Sequence, residues 1–382
     1  MGWGRMGWGR MGWGAVKSGE IAVAKRAALR DAARMMRRAR HWALLSGALV
    51  VSLALAAPAQ AARAPVLDIH DPGGATASGT VRLMAVGDVM LAQTIGHRIK
   101  TIGPGAPWAK VKTYFDQADL VVANLECTIS TRGTPWPKTF TFRAPVAAAQ
   151  SLVAGGIDAV SDANNHAMDF GRDAFADTLS YLDAAGVGHF GGGANLAQAR
   201  KPLIIQRNGL TIAFLGYVLP FSGRPAFNTR QWAATASTAG LAIGTPDVVS
   251  ADVTAARHLA DVVVVMVHGG IEYTFKPNKA QKNFDRAALA AGAALVIGAH
   301  PHVLQGYVYE SHQVIAYSTG NFVFDYFSGA ENDTAILDVT LSADGVDSIH
   351  WIPIEIQNGF PRPAKGAEIT RIMSHLKKLP PP

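Results

Sequence analysis

His300-Pro301-His302 closes the apolar run AALVIGAHPH. On an extended chain, side chains two apart project to one side, about 6.5 to 7 Å from each other. Two imidazoles so placed can each hold one ion of a pair about 3.5 to 4 Å apart. The same ending recurs along the chain: VRLMAVGD ends in Asp88, ADLVVANLE in Asn124 and Glu126, DVVVVMVHGG delivers His268, and SDANNHAMDFG carries Asn164, Asn165, His166 and Asp169. Asp, Glu, Asn and His without thiolates suit Zn, Mn or Fe in mixed N/O coordination, and the residue types do not choose among these metals. Each residue alone has a plainer reading. Asp88 could cap a following helix, a lone His could be a hydrogen-bonded turn residue, and HxH could lie on the surface. Five polar strand ends of ligand type in one sheet are hard to explain that way. The other histidines weighed, His97, His189, His258, His312 and His350, sit in less telling contexts.

Other chemistries lack their residues. GVGHFG, Gly186 to Gly191, matches the dinucleotide glycine pattern but follows a helical stretch and opens no helix, so it reads as a turn. There is no G-x-S-x-G elbow, phosphate-binding P-loop or H-E-x-x-H. The one cysteine, Cys127, excludes an internal disulfide and every multi-cysteine metal site.

To converge, these polar ends must lie at the carboxyl edge of a sheet, where open parallel sheets bind ligands. From Val81, short β-branched runs alternate with helical stretches such as Asp173 to Ala185 and Lys279 to Ala291, the pattern of an α/β domain with mostly parallel strands. After Asp333, TAILDVTLSADGVDSIHWIPIEI reads as a terminal antiparallel hairpin. The organisation expected is a low-complexity extension 1–34, a signal peptide 35–61, a linker 62–80, one domain 81–357 and a tail 358–382 without functional signal.

The N-terminal part explains the charge. Of 382 residues with a formal charge of +7, ten basic and two acidic ones precede Ala62, leaving −1 for the remainder. Nucleic-acid binding by the folded part is therefore not implied. Arg37, Arg38 and Arg40, the apolar run Trp42 to Ala57 and the small-x-small site Ala59-Gln60-Ala61 read as a secretory signal, with an uncleaved membrane anchor as the alternative. The expectation is an exported protein. MGWGRMGWGRMGWG before it has no structural period.

In order, GDVML, ANLECTIS, NNHAMDFG, HGGIEYTFKP, GAHPHVLQG and STGNFVFD resemble the CapA family of bacterial capsule synthesis proteins, associated with poly-γ-glutamate, over about Val81 to Asp325. The resemblance implies the calcineurin-like metallophosphoesterase fold: a four-layer α-β-β-α sandwich of two mostly parallel or mixed sheets, here with a C-terminal antiparallel hairpin. It further implies one or two divalent ions held by Asp88, Glu126, Asn165, His268, His300 and His302, with His166 as the reacting imidazole and Asp169 orienting it. The superfamily's Asp-x-His falls on Asp88-Val89-Met90, so that histidine is missing. Its bridging aspartate falls on Asn124, leaving Glu126 to supply the charge. Asn164 stands where the superfamily usually has glycine. Asn124, Asn164, Lys138, Arg143, Glu272, Tyr273 and Asn321 are candidates for the border of the substrate pocket. The expected ligand is an anionic polymer such as poly-γ-glutamate, and a membrane-bound polymer synthase is a candidate partner. The activity implied is metal-dependent hydrolysis of a phosphoester or γ-glutamyl amide; the alternatives are a non-catalytic polymer-binding or export accessory and a periplasmic phosphoesterase.

Overall fold

A computed structural model describes residues 67–70, 79–221 and 227–380. The extension and signal segment lie outside the described residues. Among the latter, no helix is long and apolar enough to cross a membrane.

Two β-sheets pack face to face. The first runs in the order Leu67–His70, Gly345–Gln357, Asp333–Ser342, Val81–Val89, Leu120–Leu125, Ala159–Ser161, Gly188–Phe190. The second runs Tyr307–Glu310, Gln313–Ala316, Leu295–Ala299, Val262–His268, Leu210–Val218, Leu203–Arg207. Strand alternation explains why both faces of each sheet are apolar. Leu83 and Ala85 join Phe214, Val264 and Leu295 in the core between the sheets. Their neighbours Met84 and Val86 face outward onto Ile95, Ile99 and Leu152 of helices Gln93–Ile102 and Ala147–Gly155. On the second sheet Val263, Val265 and Val267 face outward onto Val249, Val253, Phe284 and Ala288 of helices Pro246–Ala256 and Lys279–Ala290. Each fully buried Val or Leu contributes about 1.5 to 3 kcal/mol, and the layering is the four-layer sandwich expected. The helix starts are locally encoded: Thr245 caps ahead of Pro246, and Asn278 and Gln281 form a capping box.

Some expectations are corrected, but both sheets are mixed, within the expected mostly parallel or mixed range. Within the first, Asp333–Ser342 is antiparallel to both Val81–Val89 and Gly345–Gln357, the expected hairpin. Part of the linker, Leu67–His70, is an edge strand paired with Gly345–Gln357. GVGHFG is not only a turn: Gly188–Phe190 pairs in parallel with Ala159–Ser161. A Cβ at Gly188 would crowd Ala159 Cβ at 3.2 Å and the Asp158 carbonyl oxygen at 3.3 Å, so glycine eases this pairing. The tail belongs to the domain, since Phe360–Pro363 extends the sheet and helix Ala367–His375 buries Ile372 in the central core.

Candidate metal centre

One crossing ties the sheets together at their carboxyl edges. Gln313–Ala316 lies in the second sheet, and Asn321–Val323 pairs with Val81–Val89 in the first. The intervening Tyr317 to Gly320 passes so close that a Cβ on Gly87 would stand 1.8 Å from the Gly320 carbonyl oxygen, and one on Gly298 2.0 Å from that of Tyr317. The Asp88 N–H donates to the Gly320 carbonyl at 3.0 Å. The glycines in VGD and IGAH are therefore what allow Asp88 and His300 to approach each other from different sheets.

Asp88, Glu126, Asn165, His268, His300 and His302 converge there, all buried. Asp88, Glu126 and His268 offer ligand atoms within 4.8 Å of one another, and so do Glu126, His300 and His302. Glu126 belongs to both sets. Among the described residues neither of its oxygens has a hydrogen-bond partner, nor does His300 Nδ1. A buried carboxylate without protein donors, facing three buried imidazoles, is a donor set of the kind that divalent cations take. The residues present fit one or two divalent ions.

The remaining polar groups brace this set. The Asn124 amide donates to Asp88 Oδ1 at 2.8 Å and lies 3.2 Å from His268 Nδ1, while its oxygen accepts from Asn164 at 3.1 Å. An amide thus stands as a strut at Asn124, where the sequence resemblance implied a bridging carboxylate. Asn164 also donates to the Leu125 carbonyl and accepts from the His166 N–H, closing the turn. Asn165 Oδ1 lies 2.7 Å from His268 Nε2. Asn321 Oδ1 lies 2.8 Å from His302 Nδ1, which is 3.2 Å from Asp88 Oδ2. Met90 is buried in the core under the first sheet, and its sulfur accepts from the Ala92 N–H. The position where the sequence resemblance implied a histidine is thus filled by apolar packing.

His166 is held from three sides. Asp169 Oδ2 lies 2.7 Å from its Nδ1, Phe142 stacks on the ring at 4.2 Å, and Nε2 lies 4.0 Å from Glu126 Oε1. Asp169 also accepts from the Phe142 N–H and pairs with Lys138.

Burial dominates the electrostatics. It pushes Glu126 well above the usual carboxylate range, with Asp88 adding to it. Burial likewise holds His166, His268 and His300 well below the usual imidazole value, with neighbouring cations and imidazoles contributing. His302 moves the other way: burial lowers it, but its bond to Asp88 and the aspartate charge outweigh that. His300 and His302 both have positive φ, 96° and 58°. HPH is therefore a strained turn beyond the strand end at Ala299 rather than an extended segment, though its rings still lie 5.9 Å apart.

The candidate pocket-border residues separate into groups. Asn124, Asn164 and Asn321 are fully buried struts rather than border residues. Lys138 is a buried partner of Asp169, because its ammonium needs a carboxylate once Phe227 and Trp232 enclose it. The Arg143 side chain lies in a neighbouring cleft, against the Phe170 ring. Glu272 and Tyr273 remain at the border, with the Tyr273 ring 6.2 Å from that of His302. Phe142 is the contact the sequence reading missed, since one aromatic in TFTFRAP carries no spacing signal.

Residues 82–326, which contain every one of these groups, match the family described as "Bacterial capsule synthesis protein PGA_cap". The chain is 31% identical over 283 residues to the PGA biosynthesis protein CapA of Bacillus subtilis (strain 168), covering 73% of each chain. The chain belongs to this bacterial capsule synthesis family. It is 28% identical over 302 residues to the capsule biosynthesis protein CapA of Bacillus anthracis, covering 77% of this chain and 72% of that one. Among solved structures, a hypothetical protein from Thermus thermophilus aligns with a TM-score of 0.45 at 16% identity, over 72% of this chain and 99% of the other. The strand Phe360–Pro363 and the helix Ala367–His375 lie beyond the family match and complete the sheet and core of this capsule-family domain.

Proposed function

We propose that this is an exported protein of poly-γ-glutamate or related capsule polymer metabolism, in which the centre holds one or two divalent ions and activates water for hydrolysis. The observation that carries the reading is Glu126, a carboxylate common to two buried donor sets and, among the described residues, without a hydrogen-bond donor. Asp88, Glu126, Asn165, His268, His300 and His302 would hold the metal. When bound, it supplies Lewis acidity and an acidified water. His166 turns Nε2 toward the centre while Asp169 fixes the ring through Nδ1, an arrangement suited to taking a proton from a bound water and relaying it to a leaving group. Phe142 and the buried Lys138 keep water from the far side of the imidazole.

One observation favours a second reading. Met90 and Asn124 remove one neutral ligand and one bridging anion from the superfamily's pattern, as a polymer-binding accessory with a reduced site would. Metal content of the purified full chain, with turnover assays on a phosphodiester and on γ-glutamyl amides, separates the two. Stoichiometric metal and activity lost in His166→Ala is the expected result. Metal-free protein that still binds polymer would leave only the accessory.

A further inference from the structure

A cleft of about 620 Å³ adjoins the metal centre on the side of the first sheet. One wall is helix Gln93–Ile102, whose Gln93, His97 and Lys100 recur at helical spacing and so share a face. The other wall carries Thr131, Arg143 and Phe170. The cleft and the centre share a partition one residue thick. Phe142 stacks on His166 while Arg143 next to it lines the cleft, and Asp169 bonds His166 while Phe170 next to it lines the cleft.

The charge of this cleft is one-sided. Arg143, Lys100 and His97 line it and, among the described residues, no carboxylate does, in a chain whose part after Ala62 carries a formal −1. Arg143 is also pre-set. Its guanidinium lies 4.3 Å from the Phe170 ring centroid, and Nη1 donates to the Arg132 and Gly133 carbonyls. Its Nε and Nη2 make no hydrogen bond among the described residues, and neither Lys100 nor Arg143 has an acidic partner there. The nearby Arg132, by contrast, is already neutralised by Asp177. A guanidinium oriented in advance, with donors left over, matches a carboxylate in its bidentate geometry at reduced entropic cost.

We propose that this cleft is a subsite for an extended chain bearing a carboxylate on each repeat unit, with Arg143 and Lys100 pairing with successive carboxylates so that the chain continues over Phe142 to His166. The inference rests on the polymer reading above and adds the recognition element to it. Neutral chains or a single repeat unit would gain little, because two separated cations reward only a charged chain long enough to reach both.

The test is titration of the full-length protein with γ-linked decaglutamate, with its counterpart amidated at every pendant α-carboxyl group and with glutamate itself, at low and high salt. The decamer is expected to bind, the amidated chain and the monomer at least about tenfold more weakly, and Lys100→Ala/Arg143→Ala to lose about tenfold, or about 1.4 kcal/mol. Raised salt should shrink the difference between native and variant proteins. Arg143→Lys, which keeps the charge without the fork, is expected to fall between, and both variants should melt like the native protein because the two side chains are exposed. Equal decamer affinity in native and double variant overturns the proposal, as does equal affinity for the amidated chain. Protein that holds no metal yet binds the decamer through Lys100 and Arg143 would support the cleft while removing the hydrolase reading. Decamer binding lost only in His302→Ala would do the reverse.

Discussion

Lys138 and Asp169 form an ion pair sealed from solvent: Nζ lies 2.5 Å from Oδ1, with side chains 7% and 0% exposed. Burial lowers the lysine pKa and raises that of Asp169 to about 7, each against the attraction of the other. Desolvation therefore outweighs attraction on both sides, so the pair serves position rather than stability. Lys138→Met leaves a buried carboxylate alone beside His166 and is expected to destabilise by about 3 to 5 kcal/mol. Lys138→Met/Asp169→Asn should recover most of that in a denaturant melt while leaving His166 without its anionic partner. A single variant as stable as the native protein would contradict this account.

Glu126 gives a sharper test, because it lies in both donor sets. Burial pushes its pKa well above the usual carboxylate range, and glutamine keeps the shape of the side chain without its charge. Glu126→Gln should therefore melt close to the native protein in chelator. Adding Zn or Mn at a hundredfold excess over the native dissociation constant should stabilise the native protein by about 2.7 kcal/mol. The variant should gain almost nothing. A variant that gains as much as the native chain would show that Glu126 is not a ligand.

The two adjacent asparagines should differ in kind. Asn164 spends its amide on Asn124 and Leu125 and its oxygen on the His166 N–H, so Asn164→Ala leaves buried partners unsatisfied at about 1 to 3 kcal/mol each. Asn165 presents its oxygen to His268 within the centre and is slightly more exposed. Asn165→Ala is expected to lose metal, by elemental analysis, with a smaller loss of stability than Asn164→Ala. Equal metal loss in both variants would overturn the assignment.

Why the sequence exposed the centre but not its supports follows from what strand periodicity encodes. A polar residue ending a run of valines, such as His268 or Asp88, must sit at a sheet edge, and edges of parallel strands converge. The same reasoning could not separate Asn124, Asn164 and Asn321 from pocket-lining residues, because a polar strand end looks alike whether it faces substrate or a neighbouring amide. Lys138 lies in a loop without period, and only the enclosing Phe227 and Trp232, about ninety residues on, make it a buried ion. The Gly87 and Gly298 requirement was equally hidden, since it depends on a backbone crossing more than 200 residues from Gly87. The tail helix is short, and tertiary contact through Ile372 rather than local preference secures it.

His189, which the sequence left without a role, should make stability depend on pH. Its Nδ1 lies 3.4 Å from Asp162 Oδ2 and its Nε2 3.2 Å from Asp183 Oδ1. Burial lowers its pKa, but the two aspartates outweigh that and raise it from 6.5 to about 9. A histidine raised on folding contributes its full stability below about pH 6.5, and the contribution is lost as pH rises through about 9. The shift corresponds to at most about 3 kcal/mol, reduced by solvent at the partly exposed ring. His189→Asn should therefore be clearly less stable than the native protein in urea at pH 6 and much closer to it at pH 10. A gap that stays constant between these pH values would mean that the ring packs without holding its proton.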